Sequence, residues 1–205
     1  MINTKKELVF YMMADNMMNR GVYNRSFKQK VKEIISPDYV MKFLRYMRKT
    51  SYYRSKNCLK GHYYSWQYRR LGVKLGFSIG ENVFGYGLVI PHYGTIVVGP
   101  TNTIGNYAVI HTSTCITSNG KNIGNNFAIS TGAKITSGRE LGNNVIIAAN
   151  SVVSKSFPDN NVLLAGVPAC VKSNSDAWWK RDEIIYKKFG VRVEKCEELK
   201  KKLGL

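Results

Sequence analysis

The residue of this 205-residue chain best suited to proton transfer is a histidine, and there are only three. His92 lies within GYGLVIPHYGTIVVGPTNTIG (85–105), between a proline, an aromatic and a run of glycines and β-branched residues. Imidazole titrates near neutral pH, so it can take the proton of a weak acid such as an alcohol as that group attacks a carbonyl. Taken alone, the same position also fits a core histidine satisfied at a turn. His111 follows 19 residues later, and His62 lies upstream in a different sequence texture. Cys58, Cys115, Cys170 and Cys196 are far apart and lack metal-ligand spacing. A zinc site built from histidines would need all three on one metal, and His62 falls outside the segment that holds the other two.

Whatever positions His92 and His111 must follow a six-residue rhythm. From Val98 the aliphatic residues run Val98, Ile104, Ile110, Ile116, Ile123, Ile129, Ile135, Leu141, Ile147, Val153, a step of six broken once by a step of seven at SNGKN (118–122). Units such as IGNYAV, IGNNFA, ISTGAK and LGNNVI carry Gly or Asn beside the aliphatic residue, and IGENVF from Ile79 is a less regular member. A period of six fits neither an amphipathic helix nor a hairpin meander. It fits a solenoid with one hexad per flat face, in which aliphatic residues stack inward and Gly or Asn takes the positive-φ corners. If a coil holds 18 residues, His111 lies about one coil beyond His92.

The flanks differ. The sequence divides into a basic helical N-terminal region (1–75), the repeat (76–170) and a helical C-terminal tail (171–205). In SPDYVMKFLRYMRK, Ser36 is expected as N-cap and Pro37 as the first helical residue, with Val40, Phe43, Leu44 and Met47 on one face. The tract SYYRSKNCLKGHYYSWQYRR (51–70) interleaves aromatic and cationic residues, which suits base stacking but reads more simply as a helix packed on the end of the solenoid. SDAWWKRDEIIYKKFG is expected to form a short helix capped by Ser175 and stopped at Gly190, followed by a last helix over VEKCEELKKKL.

The formal net charge of +18 is concentrated at the N-terminus, where residues 1–75 hold 17 Lys/Arg against 4 Asp/Glu. Such a surface suits phosphates, acidic polysaccharide, nucleic acid or a peripheral contact with anionic membrane, and equally a plain solvated helical face. No apolar run is long enough to span a bilayer, and MINTKKELVFYMMADN lacks a signal-peptide h-region with a cleavage site, so the expectation is a cytoplasmic protein with reduced thiols.

Three segments carry a family resemblance: GLVIPHYGTIVVG (87–99), the hexads through AISTGAKI (128–135), and IIAANSVVSKSFPDNNVLLAGVPACV (146–171). Over about residues 76–172 the chain resembles the serine acetyltransferases, and more closely the shorter serine-acetyltransferase-like O-acetyltransferases found with polysaccharide biosynthesis. The resemblance implies a left-handed parallel β-helix, acetyl-CoA as cosubstrate, no metal and a homotrimer with active sites in grooves between solenoids. It implies His92 as general base, with direct transfer in a ternary complex and no covalent cysteine. Tyr93, His111 and Glu81 are the substrate-side candidates. Thr117, Ser118, Thr131, Ala149, Ala165, Gly166 and Pro168 match the cofactor edge, with Lys134 and Lys172 as candidates for the nucleotide phosphates.

The sequence departs from the serine enzymes at three points. Pro91 stands where they carry an Asp before the histidine, Phe77 where an upstream Asp orients the imidazole, and SNGKN replaces a long loop bearing an Arg-His pair. The imidazole must then be oriented by a backbone carbonyl, by Glu81 or by a neighbouring subunit. The leading expectation is therefore acetyl transfer to a hydroxyl of a sugar or polysaccharide precursor, with no nucleic-acid partner. The alternatives are a serine O-acetyltransferase of cysteine biosynthesis and, in another class, a non-catalytic binding solenoid with a basic N-terminal region.

Overall fold

A computed structural model describes residues 2–205. From Phe77 the chain winds into a three-sided prism of parallel strands about five coils long, the solenoid expected from the hexads and the left-handed β-helix that the resemblance implies. The first face carries Phe77–Ile79, Ile96–Val98, Thr114–Ile116, Lys134–Ile135 and Val152–Val153. The second carries Thr103–Ile104, Asn122–Ile123 and Glu140–Leu141. The third carries Val109–Ile110, Ala128–Ile129, Ile146–Ile147 and Val162–Gly166, and ends in the antiparallel strand Ala169–Asn174. Register follows the repeat: Ile96 lies opposite Thr114, Cys115 opposite Lys134, and Val109 opposite Ala128. Every aliphatic residue of the hexad series from Val98 to Val153 is buried, so the prism interior is a stack of their side chains.

The corners explain the small and amide residues. Between the third and first faces, Gly94, Ser113, Gly132 and Asn150 occupy equivalent places, all with positive φ. A Cβ at Gly132 would come within 2.0 Å of Asn150 Oδ1, so that corner requires glycine on space as well as on φ. Between the second and third faces, Asn126, Asn144 and Asn161 are left-handed, and their side-chain amides bond to one another down the coils at 2.7 and 2.6 Å. The seven-residue step at SNGKN is absorbed at the remaining corner. There Gly120 takes φ 71°, and buried Lys121 turns back to donate to the Thr117 carbonyl at 3.1 Å.

Four helices precede the prism: α1 (Lys5–Arg20), α2 (Phe27–Ile35), α3 (Tyr39–Tyr53) and α4 (Cys58–Leu75). α3 and α4 close its open end, burying Phe43, Leu44, Met47, Tyr68, Leu71 and Leu75 in the same core as Phe77, Ile79 and Val83. Of the aromatic tract 51–70, Tyr68 enters that core, whereas Tyr63 and Trp66 face outward, so the expected packing on the solenoid end holds only for its inner side. α1 lies against the third face with the C-terminal helix Val191–Lys202, where Phe10, Met17, Met18, Tyr86, Tyr107, Val193 and Cys196 share a second core. Burial pushes the Cys196 thiol up to about 12, which leaves it a packing residue.

Three helix boundaries differ from expectation. Ser36 ends α2, and Asp38 caps α3 by accepting from Met41 N at 2.9 Å; Pro37 sits between two capping types, and the carboxylate is the one that reaches the helix. Ser175 caps nothing: a 3-10 turn at Trp178–Lys180 leads to Asp182, which accepts from Ile185 N. Gly190 is right-handed and runs on into the last helix. It is needed for space, because a Cβ there would lie 2.4 Å from the Tyr186 ring. Among the described residues, no helix is long and apolar enough to cross a membrane.

Candidate active site

His92 is an exposed residue on the edge between the third and first faces, not a core histidine. The pairings Val89 with Val109 and Ile96 with Thr114 bracket it, and they bracket His111 on the same edge one coil on. His111 is half-buried, and burial together with the charge of nearby His92 lowers its pKa below the ordinary histidine value. The two histidines therefore form a pair on one edge. Tyr93 is exposed beside His92.

The backbone that carries His92 is held from both sides. On one side, α1 sends Asn19 Nδ2 to the Leu88 carbonyl at 2.8 Å, and Ile90 N–H reaches Asn19 Oδ1 at 3.4 Å. One turn earlier on α1, Asp15 accepts from Leu88 N–H at 3.0 Å and forms a buried pair with Arg48 of α3 at 2.8 Å. Arg48 in turn donates to the carbonyls of Phe84 at 2.7 Å and Gly85 at 2.6 Å. On the other side, Gly94 N–H donates to Leu75 O at the end of α4, at 3.0 Å. A Cβ at Gly76, the left-handed cap of α4, would lie 3.1 Å from the Gly94 carbonyl, so the helix end and the corner touch backbone to backbone.

Helical spacing puts Arg48 with Lys42, Arg45 and Lys49 on the face opposite Phe43, Leu44 and Met47. Arg48 is nonetheless buried, because Asp15 and two backbone carbonyls meet it there. The sequence assigns no such role to Asp15 or Asn19. The available signal is the i, i+4 pair Asp15 and Asn19 inside the methionine-rich run MMADNMMNR, which puts two polar groups on a face otherwise built for packing.

Beside His92 opens a cleft of about 530 Å³, lined among others by Pro91, Tyr93, Arg20, Asp38 and Lys188. Arg20 and Asp38 are already joined at 2.7 Å. Lys188 makes no ion pair among the described residues.

The cofactor candidates divide between two edges. Thr131 and Ala149 are the equivalents of Tyr93 two and three coils on, and Gly166 N–H reaches Ser151 Oγ at 3.2 Å, which brings the Ala165–Pro168 turn to the end of the same edge. Lys134 starts the adjoining strand and donates to Gly132 O at 2.9 Å. From His92 to Gly166 is four coil steps, about 19 Å at the interstrand spacing. Lys172 is exposed on the last strand of the third face.

Thr117 and Ser118 lie instead at the corner between the first and second faces. The Thr117 hydroxyl donates to Thr136 O at 2.7 Å and Ser118 meets Thr101 at 3.0 Å, so both serve the corner rather than the histidine edge of their own chain. Glu81 occupies the same kind of corner in the first coil and is ion-paired with Arg54, which removes it as the group that orients His92 within this chain. Phe77 is likewise committed, its ring 5.1 Å from that of Phe43 in the core. Among the described residues no side chain hydrogen-bonds the His92 ring, and no cluster of three or more His, Cys, Asp or Glu is placed to hold a metal ion.

No family model matches the chain. It is similar to the serine acetyltransferase of Synechococcus elongatus, 32% identical over 94 residues, which is 42% of this chain and 38% of that protein. It is also similar to that of Staphylococcus aureus, 34% identical over 100 residues, 45% of this chain and 44% of that protein. The matches thus span less than half of each curated relative. Among solved structures, a serine acetyltransferase in complex with CoA aligns with TM-score 0.65 and 22% identity, over 82% of this chain and 71% of that one. Soybean serine acetyltransferase complexed with serine aligns with TM-score 0.60 and 19% identity, over 81% and 68%. The chain is serine-acetyltransferase-like in sequence along part of its length and shares the hexapeptide-repeat fold of these enzymes.

Proposed function

We propose that this chain is an acetyl-CoA-dependent O-acetyltransferase in which His92 is the general base. The observation that carries the reading is the edge itself: an exposed imidazole at its head, a second imidazole one coil on, and about 19 Å of small residues leading to the Ala165–Pro168 turn. Gly132 and Ala149 keep that edge flush with the backbone, so a thin pantetheine arm can lie along it, with Lys134 and Lys172 within the region where nucleotide phosphates would need cations. The relative solved with CoA supports this choice of cosubstrate.

The reaction follows from ordinary acyl-transfer chemistry. As the acceptor hydroxyl oxygen attacks the thioester carbonyl, an imidazole nitrogen of His92 takes its proton. The carbon–oxygen bond forms, the carbon–sulfur bond breaks, and the proton passes to the departing thiolate. Backbone N–H groups of the corner are the donors available to the developing oxyanion. Cys115, on the first face, has no part in this scheme. The exposed edge is completed by a neighbouring solenoid in a homotrimer, and the four free cysteines suit a reducing cytoplasm.

Of the two acceptors weighed from the sequence, the comparisons favour serine, the alternative there, over a sugar of a polysaccharide precursor. Lys188 supplies a cation on the cleft beside His92, suited to a serine carboxylate, a group the sequence alone did not reveal. One observation sustains the sugar reading: Pro91 and Phe77 stand where the resemblance calls for carboxylates, and Phe77 is sealed in the core. Thiol release from acetyl-CoA, measured with L-serine and with a panel of sugars and nucleotide sugars, separates the two. Saturable turnover of serine, with a raised KM for serine and an unchanged KM for acetyl-CoA in Lys188→Gln, supports the first. Turnover of a sugar alone replaces it with the second, and thiol release with no acceptor removes both.

A further inference from the structure

α4 is apolar on two opposite sides. Its inner face, Tyr68, Leu71 and Leu75, is buried against the prism. Leu59, Tyr63, Trp66 and Val73 follow at i, i+4, i+7 and i+14 on the outer face, and they are 84%, 51%, 56% and 86% exposed. A helix with one buried stripe ordinarily turns a polar face outward. Here the outer face holds one charge, Arg70, lying over the Trp66 ring at 5.5 Å.

The charge around this stripe is of one sign. From Tyr39 to Gly80 there are ten Lys/Arg and no Asp or Glu. Lys60 and Lys74 flank the stripe on one side, His62 and Arg69 on the other. Alongside lies a cleft of about 530 Å³ lined by Arg54, His62, Ser65, Trp66 and Arg69. Arg54 shares its charge with Glu81, whereas Arg69 makes no ion pair among the described residues.

We propose that the outer face of α4 docks on an anionic lipid bilayer. Leu59, Tyr63, Trp66 and Val73 enter the boundary between headgroups and acyl chains, and Arg69, Arg70, Lys60 and Lys74 meet the phosphates. Tryptophan and tyrosine favour that boundary, and lysine and arginine lay their stems on apolar surface while their charges stay among the headgroups. At 18 residues α4 is about 27 Å long, enough to lie in the membrane plane. A second copy of this face is disfavoured as the occupant, because a two-fold contact would set cations against cations. The inference stands independently of the acetyltransferase reading.

The test is co-sedimentation of the full chain with vesicles of phosphatidylcholine alone and of phosphatidylcholine mixed with phosphatidylglycerol. Binding to the anionic vesicles is expected to exceed binding to neutral ones by at least about tenfold and to weaken with salt. Leu59→Ser with Trp66→Ser, and separately Arg69→Glu with Arg70→Glu, should each reduce it about tenfold while far-UV circular dichroism is unchanged. The wild-type comparison of vesicles decides the matter even if a variant misfolds. Equal binding to both vesicles, binding to neither, tighter binding to duplex DNA or RNA than to anionic vesicles, or stripe-dependent self-association without vesicle binding would each overturn the proposal.

Discussion

His92 and His111 lie on the same edge of consecutive coils, close enough that the charge of His92 disfavours protonation of His111. Burial is the larger cause and the His92 charge the second, and both lower the pKa of His111. The unfolded chain therefore binds a proton at His111 at a higher pH than the folded chain does. Stability at this site is full above the unfolded value of about 6.5 and declines as pH falls from there toward the lowered folded value. His111→Asn should flatten that part of the pH profile of Tm. A variant profile that parallels the wild type between neutral and mildly acid pH would contradict the assignment.

The Arg48–Asp15 pair fastens two helices to the first coil, with both side chains 2% exposed. Arg48→Leu leaves a buried carboxylate facing apolar surface and is expected to cost about 3–5 kcal/mol in urea unfolding. Arg48→Leu with Asp15→Leu should recover only part of that loss, since the charge is gone but Leu88 N–H and the Phe84 and Gly85 carbonyls lose their partners. A single-variant loss below about 1 kcal/mol would show that the pair does not hold the coil.

Asn19 is a positioning residue for the segment that carries His92. Asn19→Ala frees Leu88 O and Ile90 N–H, so amide exchange at Ile90 should rise and kcat should fall about tenfold, while KM for acetyl-CoA stays unchanged. If Tm falls while kcat is preserved, the role of Asn19 is structural only.

The repeat was the most legible part of the chain, because a stacked aliphatic core imposes its period directly on residues such as Ile104, Ile110 and Ile116. The edge was legible too, though only by counting: Thr131 and Ala149 lie 39 and 57 residues after His92, close to whole coils plus one, whereas Thr117 lies 25 after it and falls on the next corner. Thr117 and Ser118 match the cofactor edge by resemblance alone, and the same count puts them off it. What stayed hidden was long-range. Asp15 and Asn19 look like surface polar residues until α1 meets the carbonyls and amides of residues 84–90, and Glu81 looks available until α3 ends with Arg54 above it. Local spacing also does not tell Ser36 from Asp38 as a cap, since either side chain can serve and only the path of the chain through Pro37 decides.

In the proposed reaction His92 removes the proton of the acceptor hydroxyl. The most direct test of that role is steady-state thiol release from acetyl-CoA with the best acceptor, comparing wild type and His92→Ala, alongside calorimetric titration of both with CoA. Loss of the base should lower kcat about 10²–10⁴-fold with CoA affinity unchanged. A His92→Ala enzyme that retains wild-type kcat would contradict that role.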